Sequence, residues 1–154
     1  MNDFSLMPLR DDLIPSLKII SKSWVDDNSF WAVEDILKTL KSQASEAYLV
    51  FNVYSHCVGF MFVTWTGFES ELLFVYCKEG QRGLGIGRHM LNHWICEAMK
   101  RKLNELFLEV SANNQTAIKL YESMGFRKLR TISNYYKNGD DAFAYGKRLE
   151  YKLD

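Results

Sequence analysis

Hydrophobic and polar residues alternate along some stretches of the chain, and in others the hydrophobic residues recur every three to four positions. The first pattern predicts β-strands, and the second predicts helices that bury one face. Strands are predicted over residues 4–9, 47–54, 57–65, 71–77, 105–110, 127–136 and 142–153, and helices over 11–24, 30–40, 115–124 and from residue 88 onward. The order β-α-α-β-β-β-α-β-α-β-β predicts a single domain over residues 1–154 of the α/β (α+β) class, with helices on both faces of a mixed seven-stranded sheet.

A glycine-rich loop, residues 81–88, separates the predicted strand 71–77 from the helix that follows. Gly83, Gly85 and Gly87 allow backbone amides to approach a ligand closely, and the start of a helix carries a partial positive charge. The loop is therefore a candidate phosphate cradle, with a flexible turn as the alternative. It fits neither a dinucleotide-binding motif, because Arg88 takes the place of the last glycine, nor a Walker loop, because no lysine follows the glycines.

The charge and cysteine content exclude several functions. The 19 basic and 19 acidic residues balance each other, so we expect no general nucleic-acid binding. Cys57, Cys77 and Cys96 lack CxxC spacing, which argues against a disulfide framework or structural zinc. The sequence contains neither a recognisable signal peptide nor an apolar run long enough to cross a membrane. We therefore expect a cytoplasmic protein without a membrane partner, either a monomer or a homodimer.

A possible metal site lies on the helix after the loop, where His89, His93 and Cys96 share one face. The opposite face carries apolar residues such as Leu91 and Trp94 at helical spacing, which is typical of a buried surface. We therefore expect the three polar side chains to be solvated and no metal to be bound.

Four sequence blocks together resemble one family. They are Arg82-Gly83-Leu84-Gly85-Ile86-Gly87, which fits R/Q-x-x-G-x-G/A; Leu108-Glu109-Val110 with Asn114; Leu120-Tyr121-Glu122-Ser123-Met124-Gly125-Phe126; and Asn134-Tyr135-Tyr136 followed by Asp141-Ala142. This combination is similar to the GNAT acetyltransferases, and in particular to the branch of ribosomal-protein alanine N-terminal acetyltransferases. The resemblance implies the GNAT fold and an N-acetyltransferase activity.

The resemblance implies acetyl-CoA as the co-substrate and no metal. Acetyl-CoA would bind where the strand that ends near Cys77 separates from the strand that ends near Val110. The residues that the resemblance places against it are Val75 and Cys77, through their backbone, then Arg82, Gly83, Leu84, Gly85, Ile86, Gly87 and Arg88 in the loop, and Asn114 on the other side.

The resemblance also assigns the catalytic residues for direct attack of an amine on the thioester. Glu109 would accept the proton of the amine, and Tyr121 would protonate the leaving thiolate. A backbone N–H near residues 75–77 would stabilise the oxyanion. On the pattern alone, Glu109 could equally be a solvent-facing strand residue and Tyr121 a core aromatic. A covalent route through Cys77 is a further alternative.

The resemblance implies a primary amine as the acceptor. An α-amino group has a lower pKa than a lysine side chain, so a protein or peptide N-terminus is the easier nucleophile. Tyr135 and Trp31 would line its site. Alternatively, Asp26 and Asp27 could attract a small-molecule amine such as a polyamine or an amino sugar. A non-catalytic acyl-CoA-binding regulatory module is the third possibility.

Overall fold

The computed structural model describes residues 3–25, 31–42 and 44–153. Within these ranges the elements are β1 (Phe4–Pro8), α1 (Ile14–Ser21), α2 (Val33–Ser42), β2 (Ser45–Asn52), β3 (Cys57–Trp65), β4 (Glu69–Cys77), α3 (Ile86–Lys100), β5 (Glu105–Ser111), α4 (Gln115–Ser123), β6 (Arg127–Ile132) and β7 (Ala142–Arg148). Their order and the predicted mixed seven-stranded sheet are confirmed. Among these residues, no helix has the length and apolar character that a membrane span requires.

Three helices begin at positions other than those predicted, one of them α2, which is predicted from residue 30 and begins at Val33. Asp11 belongs to a short 3-10 turn, and α1 itself begins at Ile14, with Pro15 in its first turn. Proline suits that position because the first amides of a helix have no partner within the helix. α3 begins at Ile86, two residues before Arg88, so the glycine loop leads directly into the helix.

Two hydrophobic cores lie on opposite faces of the sheet. α3 and α4 cover one face, where the rings of Trp94 and Phe126 stack with their centroids 5.8 Å apart. We call this the α3 core. α1 and α2 cover the other face, where Trp24 meets Phe74 edge to face at 5.0 Å. We call this the α1–α2 core.

The centre of the sheet splits. The strand order is β1-β2-β3-β4-β5-β7-β6, and β4 and β5 are parallel neighbours. Their pairing covers only Glu69 to Leu72 on β4 and Glu105 to Leu108 on β5. From Leu73 onward β4 has no β5 partner, so those of its backbone amides and carbonyls that point away from β3 face the gap between the two strands.

A β-bulge at Leu73 changes the direction of the side chains on β4. The register with β3 passes from Val63 opposite Leu72 to Phe62 opposite Phe74, so Leu73 is the additional residue. A bulge of this kind interrupts the strict alternation of a strand. Leu72 consequently packs in the α3 core, whereas Phe74 packs in the α1–α2 core.

A buried hydrogen bond joins α3 to β4, the two elements that flank the glycine loop. The indole Nε1 of Trp94 donates to Ser70 Oγ at 2.7 Å, and Ser70 Oγ donates to the Thr64 carbonyl at 2.7 Å. Ser70 is the one polar side chain that is fully buried among the residues described.

Substitution of Ser70 by alanine is expected to lower the free energy of unfolding by about 1–3 kcal/mol, because the buried indole N–H of Trp94 then has no acceptor. Urea denaturation followed by circular dichroism measures the change. Thr66→Ala is the matched control, since the Thr66 hydroxyl bonds the Glu69 carbonyl at an exposed turn. Equal stability of the two variants would contradict the expectation.

Candidate active site

A cleft of about 1040 Å³ opens where β4 and β5 separate. Seven of the residues predicted for the site line this cleft: Trp31, Val75, Arg82, Glu109, Asn114, Tyr121 and Tyr135. The split in the sheet therefore brings together residues that are more than 100 positions apart in the sequence.

The glycine loop connects β4 to α3 at one end of the cleft. Gly83 and Gly85 have φ angles of 80° and 86°, in the left-handed region that glycine favours. Leu84 between them is exposed. Gly85 is the N-cap of α3 and has no side chain to accept hydrogen bonds from the first amides of the helix. The loop and the helix start are therefore suited to an anionic ligand.

The other loop residues attach the loop to the fold. Arg82 Nε donates to the carbonyl of Cys77 at 3.0 Å. Ile86 is buried in the α3 core, and Arg88 Nη2 donates to Ser123 Oγ on α4 at 2.9 Å. The side chains of Ile86 and Arg88 thus hold the loop in place, and a ligand would meet mainly the backbone.

Cys77 lies at the end of β4 with its thiol turned to the loop. Its Sγ donates to the Gln81 carbonyl at 3.5 Å, and burial raises the pKa of the thiol. A nucleophilic cysteine requires the thiolate form. Val75 lines the cleft, whereas Cys77 does not. This arrangement gives no support to a covalent acetyl-cysteine route.

Glu109 lies on β5, immediately after the last residue that pairs with β4. Its neighbours Leu108 and Val110 pack in the α3 core, so the half-buried Glu109 faces the α1–α2 side of the sheet. The Tyr135 hydroxyl is hydrogen bonded to Glu109, and this bond, together with partial burial, raises the pKa of Tyr135 to about 12. The neutral Tyr135 hydroxyl therefore positions the Glu109 carboxylate at the cleft.

Tyr121 reaches the cleft from α4, on the opposite face of the sheet from Glu109. It is only 4% exposed and its ring meets Phe126 edge to face at 6.1 Å, so it is a core aromatic as well as a cleft residue. Asn114 begins the helix: its Oδ1 accepts a hydrogen bond from the Ala117 amide at 3.2 Å. The candidate base and acid thus approach the gap from opposite sides.

Tyr135 and Tyr136 lie in the loop after β6, which ends at Ile132. The strand predicted over 127–136 is confirmed for residues 127–132 and is wrong for residues 133–136. The chain bends at Asn134, whose φ is 51° and whose N–H donates to Asp141 Oδ1 at 2.9 Å. Both tyrosines line the cleft, with their rings edge to face at 5.0 Å.

Trp31 contributes to the wall of the cleft on the α1–α2 side. Its ring meets Phe62 edge to face at 5.3 Å, and its carbonyl accepts a hydrogen bond from Trp24 Nε1 at 3.1 Å. Trp31 is thereby attached to the α1–α2 core. Asp26 and Asp27, the acidic pair considered for small amines, lie outside the described residues.

Glu71, an acidic residue that was not predicted for the site, also lines the cleft. Burial and the charge of Glu109 raise the pKa of its carboxyl group. In the sequence, Glu71 is a single charged residue at the start of an otherwise apolar strand. Such a residue indicates the boundary of the strand and does not by itself indicate a functional site.

The polar face of α3 does not line the cleft. Cys96 is exposed, but the His93 ring packs edge-on against Tyr48 at 4.8 Å, and burial lowers its pKa. The expectation that His89, His93 and Cys96 are all solvated is therefore wrong for His93.

Comparison with known proteins decides the family. Residues 13–126 match the family described as "Acetyltransferase (GNAT) family". The chain belongs to the GNAT family. It is 35% identical over 105 residues to the [ribosomal protein bS18]-alanine N-acetyltransferase of Escherichia coli K12, which covers 67% of this chain and 71% of that protein. An N-alpha-acetyltransferase of Sulfurisphaera tokodaii is 35% identical over 77 residues, or 49% and 46% of the two chains.

Solved structures share the GNAT fold over nearly the whole chain. The ribosomal-protein-S18-alanine N-acetyltransferase from Escherichia coli superposes with a TM-score of 0.83 at 24% identity, covering 98% of this chain and 97% of that one. A chain of the NatC complex bound to Gag peptide and CoA gives a TM-score of 0.84 at 20% identity, covering 97% and 100%. The predicted family, fold and N-acetyltransferase activity are confirmed, and GNAT enzymes use acetyl-CoA.

Proposed function

We propose that this GNAT enzyme transfers the acetyl group of acetyl-CoA to the α-amino group of a protein or peptide N-terminus. The observation that carries the proposal is the position of Glu109 in a cleft that is open beside Tyr135, whose side chain is 48% exposed. An extended peptide end can enter such a cleft. The bS18-alanine and N-alpha-acetyltransferase relatives support the same acceptor class.

Acetyl-CoA supplies the activated acetyl group as a thioester, and the chain offers matching contacts along the cleft. The amides of Gly83 and Gly85 and the start of α3 would bind the pyrophosphate. The unpaired stretch of β4 around Val75 would hydrogen bond the pantetheine amides, as an added strand would. Asn114 would border it on the other side.

Glu109 acts as the base. Its carboxylate accepts a proton from the acceptor's ammonium group, directly or through a water molecule, so that the neutral amine attacks the thioester carbon. Tyr135 keeps the carboxylate in place and remains protonated at neutral pH, because its pKa is about 12.

Tyr121 acts as the acid on the other side of the gap. The C–N bond forms to give a tetrahedral intermediate, and its collapse breaks the C–S bond while the Tyr121 hydroxyl gives its proton to the leaving sulfur. The proton that the acylated nitrogen must lose then returns to Tyr121 through water, which leaves the amide and the free CoA thiol. An unpaired amide of β4 between Leu73 and Cys77 hydrogen bonds the carbonyl oxygen while it carries negative charge. The amine attacks one face of the planar thioester and the sulfur leaves in a different direction, so a base and an acid that reach the gap from different sides suit this chemistry.

The wild-type protein with acetyl-CoA is expected to acetylate a peptide that begins with a free alanine. The neutral fraction of an α-amine at pH 7 is roughly 300-fold larger than that of a lysine side chain. Release of free CoA thiol measures turnover, and mass spectrometry locates the acetyl group. The matched control is the same peptide with a blocked N-terminus and one lysine.

The panel also includes spermidine and an amino sugar. Turnover of these amines without turnover of the peptide would replace the proposed acceptor by a small molecule. Acetyl-CoA binding without turnover of any amine would favour the regulatory module and contradict the proposal.

A further inference from the structure

Glu71 and Glu109 lie on the same face of the sheet, on neighbouring strands. Before the bulge, Ser70 and Leu72 face the α3 core, so Glu71 faces the α1–α2 side. Its register partner on β5 is Phe107, which shares a face with Glu109 two residues later. Diagonal neighbours of this kind are within reach of each other through long side chains.

These two carboxylates lack a cationic partner in the described part of the chain. The ion pairs found there involve neither Glu71 nor Glu109. Of the basic residues that line the cleft, Arg82 is hydrogen bonded to the Cys77 carbonyl at the end of β4, and Lys137 is exposed in the loop after β6. Two neighbouring negative charges without a counter-ion repel each other, and a bound cation relieves that repulsion.

The position of the two residues relative to the split separates their roles. The last pair between β4 and β5 is Leu72 opposite Leu108. Glu71 lies just before this pair on β4, and Glu109 lies just after it on β5. The thioester binds beyond this pair, in the gap. Glu109 is therefore the carboxylate closer to the reacting carbon, and Glu71 lies behind it on the acceptor's side.

We propose that Glu71 is a specificity-determining residue that, together with Glu109, binds the ammonium group of the incoming acceptor. Glu71 selects for a positively charged acceptor and holds it while Glu109 takes the proton. The inference rests on the proposed function, since it assigns a further residue to the acceptor side of the same cleft.

Glu71→Gln is expected to raise the KM for the alanine peptide about tenfold or more, because a hydrogen bond to a charged group is lost. The kcat should stay within about threefold of wild type, because the proton acceptor remains. Glu71→Asp should recover part of the affinity. Added salt should raise the KM of the wild type more than that of Glu71→Gln, since salt screens the attraction.

Glu69→Gln is the matched control. Glu69 is exposed on the same strand two residues earlier, carries the same charge and does not line the cleft. Its KM should equal that of wild type, and acetyl-CoA affinity by calorimetry should be the same for wild type, Glu69→Gln and Glu71→Gln. An unchanged KM in Glu71→Gln overturns the proposal. A collapse of kcat at constant KM also overturns it, because Glu71 would then itself be the base.

The two proposals fail separately. If the wild type acetylates the peptide and Glu71→Gln leaves KM unchanged, the acceptor class stands and the role of Glu71 is wrong. If only a small amine is acetylated, the same KM comparison is made with that amine, and a rise in Glu71→Gln supports the role of Glu71 although the acceptor class is wrong.

Discussion

Replacement of Glu109 by glutamine is expected to lower kcat by about 10²- to 10⁴-fold, the range typical for loss of a general base. Glutamine keeps the shape of the side chain and can still accept the hydrogen bond of Tyr135, but it cannot accept a proton from the ammonium group. The deficit should shrink as the pH rises past about 8, because a growing share of the acceptor's α-amine is then already neutral. Steady-state kinetics of CoA release over a pH series measure both effects.

Glu105→Gln is the control for this substitution. Glu105 lies on β5, on the same face as Glu109, forms a long 3.9 Å ion pair with Arg148 and does not line the cleft. Its kcat should match that of wild type. Unchanged acetyl-CoA affinity in Glu109→Gln would show that the cleft is intact. Turnover of Glu109→Gln equal to that of Glu105→Gln would remove Glu109 from the role of base.

Replacement of Trp24 by alanine is expected to lower the free energy of unfolding by about 3–5 kcal/mol, the cost of deleting a large buried aromatic side chain. Trp24 is 1% exposed and meets three aromatic rings, those of Phe60, Phe74 and Tyr76, at centroid distances of 5.0, 5.0 and 5.6 Å. For a domain of this length the midpoint of thermal unfolding should fall by roughly 6–20 °C. Thermal unfolding followed by circular dichroism measures the shift.

Phe68→Ala is the control, because Phe68 is 71% exposed and should change stability by less than about 0.5 kcal/mol. If Trp24→Ala does not fold, Trp24→Phe retains much of the ring contact and should show a smaller loss with the same sign. If Trp24→Ala or Trp24→Phe is as stable as Phe68→Ala, the prediction is wrong, and the α1–α2 core tolerates the space left by the smaller side chain.

The elements and the glycine loop could be predicted because their signals are local, whereas most of the candidate site was predicted from the resemblance of four sequence blocks to the GNAT family. Apolar alternation marks β5, and the glycines of residues 83–87 mark the loop before α3. Glu109 stands out as a single charge between apolar neighbours, but its role as the base is what the resemblance implies. Each of these signals lies within a few residues, so none depended on knowing the tertiary structure.

The bulge at Leu73 and the end of β6 could not be predicted in the same way. Every residue from Leu72 to Cys77 suits a strand, and nothing local shows where the register with β3 shifts. The aromatic pair Tyr135-Tyr136 is typical of a strand, yet the hydrogen bond from Asn134 to Asp141 bends the chain there. The bulge depends on the pairing of β4 with β3, and the bend depends on one side-chain contact seven residues away that the strand pattern does not reveal. Glu71 could not be identified locally because its neighbour Glu109 is distant in the sequence.

Acetyl-CoA bound along the unpaired length of β4, as proposed, would make the thermal stability of the protein depend on the concentration of its co-substrate. A ligand that binds the native state and not the unfolded chain stabilises it by about 2.7 kcal/mol at a concentration 100 times its Kd. A high cellular concentration of acetyl-CoA would thus protect this enzyme from thermal unfolding and proteolysis, and a low concentration would let it be degraded faster. The acetyl-CoA concentration would then affect the half-life of the enzyme as well as its rate of catalysis.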